Sequence, residues 1–299
     1  QVQMYLGFFS VVGQLRIHCL LGDYYMALKS VEDLDLNKRS LFTSVTQCHV
    51  TLYYYLGFAY LLSHRFVDAI KTFTNVLQYI SRINNKQSRF ANGDRGFQSN
   101  VVSKMEQQMY CALSIAIAFS PRRIDDTVDS NLRDRYGEKI IRIQRGDLAV
   151  LEDMFSRACP KFINPVLPQY DDPHITQHGA MRHQLSIFMN EVKRQVQLPT
   201  IRSYLKLYST IEVEKLAQFL EMDVDTLKLH LQCYSHKNRC VSWKEGGPLT
   251  GEWGPASNTE FYIDGDMIHV VDNKVARRYC DYFIRHINRF GDIQKNARE

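Results

Sequence analysis

With 299 residues, 45% hydrophobic and 12% aromatic, the chain is long enough for about two domains with sizeable cores and too apolar to be intrinsically disordered. A net charge of +5 and a pI near 8.7 permit contact with RNA or an acidic surface without demanding either. The seven cysteines (19, 48, 111, 159, 233, 240 and 280) are odd in number and contain no CxxC pair, which points to reduced, buried thiols and a cytoplasmic or nuclear location.

No uninterrupted run of 18 apolar residues occurs, so no membrane span is expected. The chain opens on Gln1 inside an apolar periodic pattern, without a methionine or signal sequence, and is expected to be a fragment lacking its N-terminal region.

The first 120 residues contain no proline, which permits long helices. Tyr5, Phe9, Val12, Leu15 and Cys19 are spaced for one buried helical face, and Gly22-Asp23 turns the chain into a second helix carrying Ala27, Leu28 and Val31. The next pair reads Tyr53-x2-Leu56-Gly57-x2-Tyr60, then Ala69-x3-Phe73-x2-Val76, which follows the tetratricopeptide pattern. Gly57 and Ala69 let paired helices approach closely while the aromatics fill the groove between them. Ala27 and Ala69 mark the same place in successive pairs, so the chain is expected to begin as a degenerate helical solenoid.

A polar stretch from Arg82 to Asn100 predicts an exposed loop, and an apolar helix follows from Glu106 to Phe119. Residues 122–158 hold eight basic and eight acidic side chains, a balance that reads as solvated helix faces. Four prolines between Cys159 and Pro173 mark an extended segment, either a domain linker or a long inter-helix loop. A helix from about Met181 to Gln195 leads into the last module.

That module has the order of a winged helix. Pro199 suits the first turn of a helix with Ile201, Leu205 and Tyr208 on one face. Ser209-x-x-Glu212 matches a capping box for the next helix, with Val213, Leu216, Ala217 and Leu220 as its stripe. Asp223 can cap the third, which buries Val224, Leu227, Leu231 and Tyr234. A strand at Arg239–Trp243 and a Gly/Pro-rich loop at 246–256 follow. Phe261-Tyr262-Ile263 and Ile268-His269-Val270 then flank the hairpin turn Asp264-Gly265-Asp266. From Lys274 to Arg298 a closing helix and tail carry seven Lys/Arg, with Val275, Tyr279, Tyr282, Phe283 and Phe290 on one side of the helix.

The expected architecture is mainly α. Residues 1–195 form a tetratricopeptide-like helical array, 196–273 a winged helix, and 274–299 a C-terminal basic amphipathic helix and tail. DNA reading through the third helix is disfavoured, because Asp223 and Asp225 sit at its groove-entering end and Glu245 and Glu252 lie in the wing loop.

Helical repeats running into a winged helix resemble PCI-domain proteins of the proteasome lid, the signalosome and eukaryotic translation initiation factor 3. Leu20-Leu21-Gly22-Asp23-Tyr24-Tyr25, the run Tyr53 to Tyr60, Cys159-Pro160-Lys161-Phe162, Thr200 to Tyr208, Phe261 to Asp264, Asp266 to His269 and Lys274 to Tyr279 are most similar to the initiation-factor branch. The resemblance implies a non-catalytic scaffold in a multi-subunit complex. The implied partners are other subunits of the factor, K and E nearest, the small ribosomal subunit, and mRNA or rRNA. A lid or signalosome scaffold, or a winged-helix RNA-binding protein, is the alternative.

Two surfaces are candidates for partner binding. One is the sheet edge near Val241, Trp243, Phe261 and Ile263, where unpaired backbone can extend a partner's sheet, although each side chain could equally serve the module's own core. The other is Tyr279, Phe283 and Ile287 on the closing helix, whose apolar stripe needs cover. Arg277, Arg278, Arg285 and Arg289 are candidates for RNA or acidic-partner contact.

No catalytic, cofactor or metal site is expected. His230-x2-Cys233-x2-His236-x3-Cys240 has ligand residue types, but successive i+3 steps rotate them around a helix and prevent easy convergence. His174, His178 and His183 lack a paired ligand set, Gly246-Gly247-Pro248 is not a P-loop, and there is no nucleophile elbow.

Overall fold

The computed structural model describes residues 2–34, 45–90, 97–164, 179–243, 247–255, 257, 259–272, 282–290 and 294. The fold is mainly α and divides into two compact units, residues 1–196 with 239–256, and residues 197–238 with 257–299.

The first unit is built on α1 (Val2–Leu21), α2 (Tyr24–Lys29), α3 (Thr46–Leu62), α4 (Phe66–Phe90), α5 (Phe97–Phe119), α6 (Asp126–Gln144), α7 (Leu148–Ala158) and α8 (Gly179–Gln195). The expected loop at 82–100 is largely helical: α4 continues to Phe90 and α5 starts at Phe97. No proline or glycine occurs in this stretch before residue 93, so its polar sequence permits helix.

The joints between successive helices repeat one device. At the end of α1, Asp23 N–H donates to His18 O (2.9 Å) and Gly22 N–H to Cys19 O (3.3 Å), with Gly22 at φ +83°. This is a Schellman turn, which needs a left-handed residue and satisfies carbonyls that the helix end leaves open. At the end of α3 the same bonds run from Arg65 to Tyr60 O and from His64 to Leu61 O, with His64 at φ +58°. Gly146 repeats it after α6, and Asp147 then caps α7 by accepting from Ala149 and Val150. Gly22 and His64, like Ala27 and Ala69, are matching places in successive helix pairs, and both alanines are fully buried.

The α1 stripe is Phe8, Val12, Leu15 and Cys19, not the expected Phe9, which is 43% exposed. Adjacent phenylalanines point 100° apart, and packing selected the one in phase with Val12 and Leu15. α1 is also long and apolar enough, by length and composition, to cross a membrane, where no such segment was expected. Its stripe is seated in the core of the array.

Deeper in this unit, Tyr54 OH donates to Ala158 O (2.7 Å), and Phe155 on α7 stacks on Phe188 of α8 at 4.1 Å. The described part of the proline-rich segment packs on the array: Ile163 N–H donates to Leu20 O (3.0 Å), and the rings of Phe162 and Phe58 lie 6.1 Å apart.

The second unit begins with α9 (Leu198–Leu205), β1 (Thr210–Glu212), α10 (Val213–Phe219) and α11 (Val224–Lys237). The chain then passes through β2 (Arg239–Ser242) and β3 (Glu252–Pro255), which belong to the first unit, and returns as β4 (Thr259–Asp264) and β5 (Met267–Asp272). Its antiparallel sheet has the order β1-β5-β4. Helix, strand, two helices and a hairpin is winged-helix topology. The core is Ile201, Leu205, Ile211, Val213, Leu216, Leu227, Leu231, Tyr234 and Ile268. Tyr208, expected on the α9 stripe, lies beyond that helix and is 40% exposed.

The expected capping box is instead a strand. Thr210, Ile211 and Glu212 pair with His269, Ile268 and Met267, and α10 starts after Glu212 with no side-chain cap bond. Burying Ile211 against Ile268 outweighed one cap hydrogen bond. Asp223 occupies the N-cap position of α11 but makes no cap bond through its side chain. The β4–β5 turn is as expected, with Gly265 at φ +58° and Asp264 opposite Met267.

Candidate partner-binding surfaces

The four edge residues singled out in the sequence fall in two different units. Val241 and Trp243 lie on and just after β2, which pairs with β3 so that Val241 faces Trp253. Phe261 and Ile263 lie on β4. They form no common edge, because the strand at 239–242 does not join the winged-helix sheet.

The segment from β2 to β3 is an arm held on the helical array by a buried ion pair. The Arg65 guanidinium and Asp68 carboxylate meet at 2.8 Å, with side-chain exposures of 9% and 3%. Arg65 Nη1 donates to Pro248 O (2.7 Å) and Leu249 O (3.2 Å), and Nη2 to Thr250 O (3.2 Å). Tyr60 OH also donates to Pro248 O (3.2 Å), and the Asp68 carboxylate accepts from the Trp243 N–H (2.9 Å). Three carbonyls converging on one planar fork use the five fixed donors of arginine, which lysine could not reproduce. Further along, Cys240 packs on Val67, and Arg122 Nη2 donates to Pro255 O (3.0 Å). The outer side of the arm leaves Trp253 75% exposed.

In the winged helix, β4 is one of the two edge strands, with β5 on its inner side and β1 at the other edge. Its register places Phe261 opposite Val270, and the Phe261 ring stacks on Tyr234 at 5.5 Å. Phe261 therefore works in the core, on the face shared with Ile263 and Ile268. The opposite face presents Tyr262, 57% exposed and stacked on His269 at 4.9 Å, next to half-exposed Val271. Strand alternation could have pointed to Tyr262 over Phe261 once the core face was known. Trp253 and the Arg65–Asp68 pair were also missed; two buried opposite charges one helical turn apart are the only local hint of the latter.

Residues 282–290 are helical. Phe283, Ile287 and Phe290 are 59%, 66% and 67% exposed and recur at i, i+4 and i+7, which makes one stripe. Arg285 and Arg289, both exposed, lie on the opposite side of that helix. Tyr279, Arg277 and Arg278 lie outside the described residues.

On α11, which would be the reading helix of a DNA-binding winged helix, Leu229 is 66% exposed and Lys228 approaches Asp266 at 4.0 Å. Among the described residues no three His, Cys, Asp or Glu side chains gather as a metal site. His230, Cys233 and His236 belong to the winged-helix unit and Cys240 to the other. Burial pushes the Cys19 thiol up to about 12 and Cys159 higher still, so both are held as neutral thiols and not as nucleophiles.

Fold and surfaces together define a mainly α protein in which a helical array carries a winged helix and exposed apolar side chains mark an edge strand, an arm and a closing helix. The chain belongs to the family described as RNA polymerase I-associated factor PAF67, which matches residues 1–290. It is similar to the eukaryotic translation initiation factor 3 subunit L of Danio rerio, 46% identical over 296 residues that cover 98% of this chain and 50% of that protein. The proteins of the same name from Xenopus tropicalis and Homo sapiens are each 45% identical over 296 residues, covering 98% of this chain and 52% of theirs. The chain thus spans about half the length of the curated relatives it matches.

Proposed function

We propose that this chain is a non-catalytic PCI-type scaffold of eukaryotic translation initiation factor 3, joining neighbouring subunits in the cytoplasm and supporting small-ribosomal-subunit binding and assembly of the initiation complex on mRNA. The observation that carries this reading is 45–46% identity along 98% of the chain to proteins named as subunit L of that factor. Two surfaces support it. The free edge and outer face of β4 can extend or cover a partner's sheet, and the stripe Phe283, Ile287 and Phe290 suits a shared helical bundle. The K and E subunits are the neighbours this reading expects.

The test is to express the tagged protein in cells with Tyr279, Phe283 and Ile287 each changed to Asp and to identify co-purifying proteins by mass spectrometry. The reading expects initiation factor 3 subunits with the parent protein and their loss with the variant. Unchanged incorporation removes the bundle assignment. Recovery of proteasome-lid, signalosome or RNA polymerase I subunits instead removes the assembly assignment. Circular dichroism of the variant separates lost docking from lost folding.

A second reading rests on Arg285 and Arg289 lying opposite the apolar stripe, so that one helix face can dock on protein while the other meets RNA, together with Arg277 and Arg278. Affinity for RNA should then fall with salt, and a log–log slope near zero rejects phosphate contact.

A further inference from the structure

A cleft of about 430 Å³ lies on the α3–α4 pair, with Trp243 of the arm as one wall. Its other walls include the rings of His49, Tyr53 and Tyr60, and Asp68 and Lys71 are its charged groups. Burial lowers the His49 imidazole to about 4, so it is a neutral wall at physiological pH. The Asp68 carboxylate is already compensated by Arg65 at 2.8 Å and the Trp243 amide at 2.9 Å.

Lys71 is different. It is exposed on α4 and enters no ion pair among the described residues. A cationic ligand is disfavoured, because Arg65 already lies over the Tyr60 ring at 4.8 Å and Lys71 would repel it. An apolar aromatic slot beside an uncompensated ammonium is complementary to a side chain that is apolar, next to one that is anionic. A phosphate chain, in contrast, needs a track of several cations.

We infer that this cleft docks an acidic peptide segment of a partner protein, which inserts one aromatic or branched aliphatic side chain between Tyr53, Tyr60 and Trp243 and sets a carboxylate on Lys71. The segment lies across α4 with its anchor against the arm, so the arm is part of the binding surface.

The chain contains two tryptophans, so Trp253→Phe in the full chain makes Trp243 the sole tryptophan, read by excitation at wavelengths that tyrosine does not absorb. The probe is the peptide acetyl-Asp-Asp-Phe-Asp-Asp-amide, compared with the same peptide carrying Ala for Phe, with acetyl-Lys-Lys-Phe-Lys-Lys-amide, and with a uridine decanucleotide. A saturable change in Trp243 emission is expected with the first probe. Affinity should weaken at least tenfold with either control peptide and in Lys71→Glu. Absence of saturable binding, equal response to the lysine peptide, or unchanged affinity in Lys71→Glu overturns the inference. Tighter binding of the decanucleotide overturns it in favour of RNA. If Lys71→Glu lowers Tm, Lys71→Gln decides, with a loss of at least threefold expected and no loss counting against the site.

Discussion

Phe73 of α4 fills the space that a side chain on Gly57 of α3 would need: a Cβ there would lie 2.6 Å from one ring carbon and 2.8 Å from the next. Phe73 is fully buried, so the ring cannot step aside. Gly57→Ala should therefore destabilise by about 1–3 kcal/mol, even though alanine is the better helix former by about 1 kcal/mol. Urea unfolding measures this, and adding Phe73→Leu should recover part of the loss.

His64 holds the left-handed position that Gly22 holds one helix pair earlier. A side chain there costs about 1–2 kcal/mol, offset in part by the greater chain entropy of glycine. His64→Gly should stabilise by about 0.5–1 kcal/mol. A rise in the urea midpoint with an unchanged slope is the expected result.

Removing Arg65 would leave the Asp68 carboxylate buried without its cation and three carbonyls without their donor. Arg65→Ala should cost about 3–5 kcal/mol. Hydrogen exchange should quicken at the Trp243 amide, whose acceptor loses its anchor. A loss under about 1 kcal/mol would mean that the arm is held by its apolar contacts alone.

His49 is stacked between Tyr53 and Tyr79, at ring separations of 4.7 and 4.5 Å, and burial lowers it from 6.5 to about 4. The unfolded chain takes up this proton as pH falls below about 6.5 and the folded protein does so only near 4. Its contribution is thus complete above pH 6.5 and is lost as pH falls through that window, by up to about 3 kcal/mol. His49→Phe should flatten stability between pH 6.5 and 4, measured by Tm at half-unit steps.

Tyr262 and Phe261 are adjacent on β4 and face opposite ways, so they separate docking from folding. Phe261→Ala should cost about 2–4 kcal/mol by emptying the space against Tyr234. Tyr262→Asp should change Tm little while reducing recovery of the partners named above. If Tyr262→Asp leaves recovery intact, the outer sheet face is not an interface.

Much of the fold could be read from local chemistry. Leu56-Gly57 with Ala69 and Phe73 announced a close helix pair, and Asp264-Gly265-Asp266 announced a hairpin, because each pattern states its own geometry. The winged-helix core, Leu227, Leu231 and Tyr234, followed from spacing alone. What failed was decided by distant partners. Ser209-x-x-Glu212 satisfies a helix-cap pattern and a three-residue strand equally, and only Ile268, more than fifty residues on, made it a strand. The strand at Arg239 is next to the winged-helix hairpin in sequence, yet its seat is fixed by Arg65 and Asp68, whose significance appears only once the array is folded. For the same reason the candidate edge split into two surfaces, with Tyr262 and Trp253 more exposed than the residues first chosen.

The seat of the arm also sets a schedule for synthesis. Arg65 and Pro248 are 183 residues apart. At about 5–20 residues per second, Arg65 and Asp68 are made roughly 10–35 seconds before the carbonyls they hold. During that interval the buried pair has none of the carbonyls it holds in the finished fold, so this flank of the helical array is completed only after the chain has passed β2.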